Sequence, residues 1–204
     1  MRHWVAAGAG LLLAALGVTG LRDPLASMAS YTAALMLLNQ AVPPLLLLGR
    51  RRPLRSALFD PVIATTAFVG LSVGVSLPGL LDPTLANALY AAPLGALEVL
   101  TGLMFWGQLF TVTSGFRHPW QAALLVWLGS LPMMAVAVVW MLSDRVIYTP
   151  YLDVICQWDI PPLMDQRWAG LVMFIASVPL QLVATWKLIG LQGSHAADRT
   201  ARSV

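Results

Sequence analysis

Glu98 is the only acidic residue deep inside one of the long apolar stretches of this sequence. A charged side chain at the centre of a bilayer costs about 2.5–3.5 kcal/mol on insertion scales. The carboxyl group must therefore face other helices, carry a proton or find a polar partner. The sequence leaves four roles open: outer support of a metal site, a proton relay, a lock between two helices, or neutral, hydrogen-bonded packing.

Asn39 and Gln40 form a second polar site, just before Pro43 and Pro44 in another apolar stretch. Proline has no backbone N–H, so the two prolines should bend the helix and leave carbonyl groups without donors. We expect the side-chain amides of Asn39 and Gln40 to satisfy those carbonyls. A functional role for the two amides is the alternative.

Residues that bind soft metals are few and scattered. Met133 and Met134 could bind Cu(I), but adjacent helical residues point to different faces, which favours packing. Cys156 is the only cysteine, so no disulfide can form within the chain. The three histidines lie at or outside the ends of the apolar stretches, at His3, His118 and His195. We find no phosphate-binding glycine loop, G-x-S-x-G, H-E-x-x-H or C-x-x-C motif, and nothing that indicates nucleic-acid binding.

Apolar helices must position these residues. Of the 204 residues, 58% are hydrophobic and 10% are charged, whereas a soluble domain has about 25% charged residues. Because so few charges cannot cover a surface that faces water, the composition predicts a membrane protein. A helix needs about 20 apolar residues to cross a bilayer. Six stretches meet this requirement, at residues 4–20, 27–49, 61–81, 88–113, 120–142 and 168–191.

These stretches predict a single all-α domain over residues 1–204, a polytopic membrane helix bundle with about six transmembrane helices. Gly70 and Gly74 give the third helix the small-xxx-small spacing of a close-packing face. The first stretch has an alternative interpretation. Arg2, the apolar run and the small residues near Ala26 resemble a signal peptide, which would be cleaved.

The distribution of basic residues predicts the orientation, because Lys and Arg are enriched in cytoplasmic loops. With the N-terminus inside, the inner side carries nine basic and two acidic residues, and the outer side carries three basic and six acidic residues. Both termini are therefore predicted to be cytoplasmic, with residues 192–204 as a cytoplasmic tail. We attribute the run Arg50–Arg52 to orientation and lipid-headgroup contact.

The long outer loop, residues 143–167, is acidic and contains aromatic residues and prolines. It is long enough to fold over the outer ends of the helices, and such a surface could receive a partner protein. The candidate structural or partner-contact residues of the whole chain are Glu98, Asp82, Asp165, Gln166, Asn39, Gln40, Tyr148 and Tyr151.

Five short motifs, in order over residues 31–174, resemble the CtaG-type cytochrome c oxidase assembly proteins. The motifs are Pro43-Pro44-Leu45-Leu46 with Gly49, Leu77-Pro78 with Asp82 and Leu85, Ala96-Leu97-Glu98 with Gly102–Trp106, Tyr148 with Tyr151, and Asp165–Met173. The last is the most specific, since it is close to D-Q-Q-L-A-G-L-I-M in that family. The resemblance implies a polytopic fold and an association with copper insertion into haem–copper oxidases.

The departures from the family pattern fall on its histidines. That pattern has histidines where this chain has Tyr31, Leu35, Ser76, Gly95 and Val99. Imidazole is a good copper ligand, and none of these five residues can replace it. We therefore predict no metal site and no cofactor in this chain.

The resemblance, without the histidines, implies a non-catalytic protein of the bacterial inner (plasma) membrane. It would act as an assembly factor or accessory subunit of a respiratory haem–copper oxidase through protein–protein contacts, with membrane lipids and oxidase subunits as partners. Glu98 would be a buried contact between helices, and Asp165 a cap or first-turn charge at the start of the last helix. Asp165-Gln166 would together stabilise that helix start.

Two other functions stay open. A copper-handling membrane protein would have to use the remaining sulfur ligands, which are Met36, Met104, Met133, Met134, Cys156 and Met164. A small transporter or proton conductor would be built around Glu98. A membrane enzyme is the least favoured, because no nucleophile–base pair can be assembled from the sequence.

Overall fold

The computed structural model of the protein describes residues 2–48, 60–110, 119–148, 150 and 160–202. Every regular element in these ranges is helical, which confirms the all-α prediction. The elements are α1 (Arg2–Gly20), α2 (Met28–Met36), a π-helical turn (Leu37–Ala41), α3 (Val42–Leu48), α4 (Pro61–Gly74), α5 (Pro78–Ala86), a 3-10 turn (Ala88–Tyr90), α6 (Ala91–Phe110), α7 (Pro119–Leu142) and α8 (Pro162–Arg202).

Local sequence signals explain where several helices begin. The hydroxyl of Ser27 accepts the N–H of Ser30 and caps α2. Asp60 caps α4 in the same way, with Pro61 following it at the first helical position. Both are standard start signals, because the first N–H groups of a helix have no partner within it.

The third predicted helix, residues 61–81, is in fact two helices. α4 ends at Gly74, and α5 begins at Pro78 after a short turn. The break between the two helices has a local cause, since Pro78 cannot donate an N–H to the preceding turn but fits the first position of a new helix. The interval between the third and fourth predicted helices, residues 82–87, is mostly helical, because α5 continues to Ala86.

α2, the π-helical turn and α3 form one continuous rod, Met28–Leu48. Within it, the N–H of Val42 donates to the carbonyl of Leu37, five residues earlier rather than four. The irregularity immediately precedes Pro43 and Pro44, which supply no N–H groups. A π-helical turn is a known cause of local helix distortion and often marks a functional site.

The helices are arranged in a ring. The rod contacts α8, α8 contacts α7, α7 contacts α4, α4 contacts α6, and α6 returns to the rod. α1 packs on the rod and also contacts α6. The core includes a stacked pair of rings from α4 and α6, Phe68 and Phe105, with centroids 4.1 Å apart.

Glycines permit the closest helix contacts, but they are not the predicted ones. A Cβ added at Gly102 would lie 2.7 Å from the carbonyl oxygen of Asn39, and one at Gly170 would lie 2.7 Å from that of Ala137. By contrast, Gly70 has nothing within 4 Å of such a Cβ. The prediction of a close-packing face at Gly70 and Gly74 was therefore wrong within this chain.

Three helical segments of the described chain are long and apolar enough to cross a membrane, by length and composition: Met28–Leu48, Ala123–Leu142 and Pro162–Trp186. Trp4–Gly20 and Pro61–Gly74 are shorter apolar helices. The total of about six spans and the cytoplasmic termini stay predictions. α8 begins six residues before the predicted 168 and continues past 191, so the connection between α7 and α8 is shorter than predicted.

Candidate functional site

Asp165 joins the start of α8 to the start of α2. Its carboxylate accepts a hydrogen bond from the hydroxyl of Ser27 at 2.8 Å and from the backbone N–H groups of Met28 and Ala29. The side chain is 3% exposed, so these hydrogen bonds form away from water. A carboxylate at a helix N-terminus satisfies free N–H groups and interacts favourably with the helix dipole. Asp165 lies in the first turn of α8, as predicted, and its described side-chain hydrogen bonds go to the start of α2.

Gln166 and Arg167, the next two residues, hold the segment that follows α7. The Gln166 side chain accepts the N–H of Ile147 at 2.8 Å and donates to the carbonyl of Arg145 at 3.3 Å. Arg167 donates from Nη2 to the carbonyl of Ser143 at 3.2 Å. We call Asp165, Gln166 and Arg167 the DQR cluster. Gln166 and Arg167 fix the backbone of residues 143–147 against the first turn of α8, and Asp165 ties that turn to α2.

Tyr148 extends this anchoring to the turn between α4 and α5. Its hydroxyl donates to the carbonyl of Ser76 at 2.6 Å, and its ring meets that of Trp140 edge-on at 5.5 Å. Burial raises the pKa of the Tyr148 hydroxyl, a hydrogen bond with Trp140 lowers it, and the charge of Asp82 raises it again. The raised pKa keeps the hydroxyl protonated further into the alkaline range, so it can still donate to the Ser76 carbonyl there.

The DQR cluster and Tyr148 together connect four parts of the fold at one end of the bundle. These parts are α2, the α4–α5 turn, the end of α7 and the start of α8. Each connection ends on a backbone group or a helix terminus, so this arrangement positions the main chain. It holds residues 143–148 in a defined conformation and presents the exposed side chains of Asp144 and Arg145 to the surroundings.

Glu98 forms the second polar site, inside the bundle. The side-chain N–H of Asn39, in the π-helical turn, donates to the Glu98 carboxylate on α6. Both side chains are almost fully buried, and Gly102, one turn further along α6, contacts the Asn39 carbonyl. The side-chain oxygen of Asn39 has no hydrogen-bond partner in the described chain. Four roles were left open for Glu98. The hydrogen bond to Asn39 is a contact between two helices, which is one of those four roles.

Gln40, beside Asn39, reaches a third helix. Its side-chain nitrogen lies 3.6 Å from the sulfur of Met133 on α7, a weak hydrogen bond. The side-chain hydrogen bonds of Asn39 and Gln40 thus cross to other helices, and neither goes to the carbonyls that Pro43 and Pro44 leave without donors. The prediction that the amides satisfy carbonyls of their own helix was wrong, because both side chains donate to residues of neighbouring helices.

The positions where the family pattern has histidines do not fit a metal site here. Tyr31 and Leu35 belong to the hydrophobic core. At Gly95, a Cβ would already lie 3.2 Å from Leu21 and 3.3 Å from Leu38, so these leucines fill the space an imidazole would need. Within the described residues, no three His, Cys, Asp or Glu side chains are grouped so as to hold a metal ion.

The predicted candidates thus fall into two groups. Tyr148, Asp165 and Gln166 belong to one end of the bundle, and half-buried Asp82 acts electrostatically on Tyr148. Asn39, Gln40 and Glu98 form the interior group. Tyr151 lies outside the described residues.

Sequence reasoning missed Arg167 and the Gln181–Ser130 hydrogen bond between α8 and α7, which measures 2.5 Å. Gln181 is a glutamine within an apolar stretch, and this was the sequence signal that could have indicated the hydrogen bond to Ser130.

The fold and the two polar sites define the class of the molecule: an all-helical membrane protein whose buried polar side chains connect helices. The family model for the cytochrome c oxidase caa3 assembly factor (Caa3_CtaG) matches residues 2–191. The chain therefore belongs to the CtaG-type family, as the motifs predicted. No curated protein and no solved structure matches the chain in the corresponding comparisons.

Proposed function

We propose that the protein is a non-catalytic inner-membrane assembly factor or accessory subunit of a haem–copper oxidase. It acts through protein–protein contacts and uses no metal of its own. Membership of a family of cytochrome c oxidase assembly factors supports the process. The observation that carries the contact mechanism is the DQR cluster, whose side chains hold main chain and helix ends in place.

The proposed docking surface is the segment of residues 143–148. Three of its backbone groups are hydrogen-bonded to Gln166 or Arg167, and Tyr148 anchors its end to Ser76. A segment fixed in this way loses little conformational entropy when a partner binds, which favours recognition. Asp144 and Arg145 are exposed on it and are available to a partner.

The proposed role of Glu98 is a contact that sets how α6 lies on the rod. Removing one partner of a buried hydrogen bond leaves the other unsatisfied, at a cost of about 1–3 kcal/mol. Glu98 and Asn39 therefore favour one arrangement of the two helices. This role needs no change of protonation and no metal.

A genetic experiment tests the proposal. The gene is deleted, and assembled haem–copper oxidase is measured in isolated membranes by reduced-minus-oxidised haem spectra and native electrophoresis. We expect deletion to lower the oxidase and the wild-type gene to restore it. Gln166→Leu should restore it only in part, because the docking segment loses two hydrogen bonds.

Gln181→Leu is the matched control, since Gln181 lies on the same helix but bonds to Trp127 and Ser130 on α7. It should restore the oxidase like the wild type, provided that immunoblots show equal amounts of all variants. Unchanged oxidase after deletion would refute the proposed process. Equal rescue by Gln166→Leu and Gln181→Leu would refute the proposed docking segment alone.

A further inference from the structure

Two exposed tryptophans of α8 indicate where the membrane boundaries lie along the bundle. Trp168 and Trp186 stand eighteen residues apart on this helix, a distance of about 27 Å, and both are largely exposed. The hydrocarbon core of a bilayer is about 30 Å thick, and tryptophan is enriched at both of its interfaces. The turn of α8 that carries Trp168 therefore lies at one membrane interface.

Hydrogen bonds place the start of α5 at the same interface. Gln166, in the same part of α8 as Trp168, accepts the N–H of Ile147. The adjacent Tyr148 donates to the carbonyl of Ser76, which lies two positions before α5 begins. The first turn of α5 is thus held near the level of that tryptophan.

The middle of α5 also packs on this end of the bundle. Its nine residues make a helix about 13.5 Å long, less than half the thickness of the hydrocarbon core, so α5 cannot cross the membrane. Leu81 is 2% exposed and belongs to the hydrophobic core, and the charge of the neighbouring Asp82 acts on Tyr148. The helix therefore stays at the interface and does not extend away from the bundle.

The outward side of α5 and of the 3-10 turn that follows it is apolar. Leu77, Leu80, Leu89 and Tyr90 are each at least half exposed, and α5 contacts the 3-10 turn. We call these four residues the α5 patch. The sequence from residue 77 to residue 90 contains one charge, Asp82, whose side chain is half-buried. Contact of such a patch with water is unfavourable, so another apolar surface must cover it.

We propose that the α5 patch inserts into the lipid of the adjacent leaflet and anchors this end of the bundle to the membrane surface. Its position at the level of Trp168 brings lipid to it directly. A protein interface has a polar rim and several hydrogen bonds, whereas the side chains of the α5 patch offer only the hydroxyl of Tyr90. That residue suits an interface, because its ring is apolar and its hydroxyl is polar.

This anchoring changes the expected path of the chain through the membrane. The second half of the third predicted span, residues 61–81, lies in the interface and does not complete a crossing. The apolar side chains of an interfacial segment are buried by about 5–10 Å into the boundary between headgroups and acyl chains. The inference does not depend on the proposed role in oxidase assembly.

Depth measurements with spin labels in liposomes test the proposal. The full chain, with Cys156→Ser, carries a single nitroxide on Leu77→Cys, Leu80→Cys or Leu89→Cys. Collisions of the nitroxide with oxygen, which partitions into lipid, are compared with collisions with a nickel chelate, which stays in water. We expect oxygen to dominate at all three positions, at a depth of about 5–10 Å below the lipid phosphates.

Two other positions calibrate the measurement. Leu131→Cys, near the middle of α7, should report a greater depth, and Asp144→Cys, on the exposed part of residues 143–148, should report collisions mainly with nickel. Nickel-dominated collisions at Leu80 and Leu89, equal to those at Asp144, would overturn the proposal, because the patch would then lie in water. Few collisions with either reagent, together with spin–spin broadening, would also overturn it, since a second copy would then cover the patch. Circular dichroism and gel filtration identify folded variants, and three separate positions keep the test decisive if one variant does not fold.

Discussion

At the scale of single residues, the buried hydrogen bond between Asn39 and Glu98 shows how this chain tolerates an acid among apolar helices. The side chains lie on different elements, the π-helical turn and α6, and each is almost fully removed from solvent. Polar groups buried in this way need hydrogen-bond partners within the protein, because water cannot reach them to form those hydrogen bonds. The pair therefore specifies one arrangement of α6 on the rod.

Substitutions at Glu98 distinguish a need for its hydrogen-bond acceptor from a need for its negative charge. Glu98→Gln keeps an oxygen that accepts the Asn39 N–H, so we expect stability within about 1 kcal/mol of the wild type. Glu98→Leu removes the acceptor and should cost about 1–3 kcal/mol. The free energy of unfolding of both variants is measured by adding an increasing fraction of SDS to the purified protein in detergent. If Glu98→Gln is as destabilised as Glu98→Leu, or stays stable but abolishes oxidase assembly, the charge itself is required and the packing role is wrong.

Tyr148 makes stability depend on pH in the alkaline range. Burial raises the pKa of its hydroxyl, so the folded protein holds this proton more tightly than the unfolded chain, in which tyrosine titrates near pH 10. Its contribution is therefore complete below about pH 10 and is lost as the pH rises further. We expect Tyr148→Phe to be less stable at neutral pH, because Ser76 loses its donor, but to lose less stability above pH 10. Parallel slopes for both proteins in chemical unfolding between pH 9 and 11 would contradict this.

The predictions for single residues were correct about which polar side chains act at a helix start or are buried. They were wrong about which residues those side chains bind. Asp165 was correctly predicted to act at a helix start, yet the N–H groups it satisfies belong to α2, which is 137 positions away in sequence at Met28. Asn39 and Gln40 were correctly identified as buried polar residues, but their partners are on α6 and α7. Sequence spacing cannot reveal partners that only the tertiary packing brings together.

At the scale of elements, the DQR cluster controls the connection between α7 and α8. Gln166→Leu removes the acceptor of the Ile147 N–H and the donor to the Arg145 carbonyl. We expect tryptic cleavage after Arg145 and amide exchange at Ile147 to become about tenfold faster, the consequence of losing two modest hydrogen bonds.

Gln181→Leu provides the control, because it removes hydrogen bonds of α8 that do not involve this connection. Its exchange at Ile147 should match that of the wild type. Equal protection in the Gln166 and Gln181 variants would show that the connection is held by other contacts.

Glycine substitutions test the close contact between α7 and α8. A methyl group at Gly170 would meet the Ala137 carbonyl at 2.7 Å and Met141 at 2.8 Å, so Gly170→Ala should cost about 1–3 kcal/mol by separating α7 from α8. Gly70→Ala, which meets nothing within 4 Å, should be neutral or stabilising by up to about 1 kcal/mol. Thermal unfolding in detergent measures both. A stable Gly170→Ala variant, or a destabilised Gly70→Ala variant, would show that the helix contacts differ from those described.

Hydrophobicity predicted that the elements are helices, but it did not predict their ends. The apolar run of residues 61–81 continues through Pro78 without a change in composition, although the backbone ends one helix and begins another there. The spacing of Gly70 and Gly74 suggested a packing face, but which face of a helix meets a neighbour depends on the whole ring. The π-helical turn in the rod was likewise anticipated only as a bend near Pro43 and Pro44.

At the scale of the whole molecule, the chain belongs to the CtaG-type family, and core packing occupies Tyr31, Leu35 and Gly95, three of the positions where the motif resemblance places histidines. The family model covers residues 2–191, and Leu21 and Leu38 lie against Gly95 where the family pattern has an imidazole. The family was predictable from ordered motifs. The arrangement of helices in a ring was not, since it depends on contacts between distant elements.

The most direct test of an accessory or assembly role is to identify the proteins that bind this chain in its own membrane. The full chain carries a C-terminal affinity tag, is extracted in mild detergent, and is purified with measurement of haem spectrum, subunit stoichiometry and copper content. We predict that oxidase subunits co-purify, with haem in a one-to-one ratio if the protein is a permanent subunit and in smaller amounts if it acts only during assembly. Copper bound stoichiometrically to the isolated chain, with no oxidase subunit present, would contradict the account.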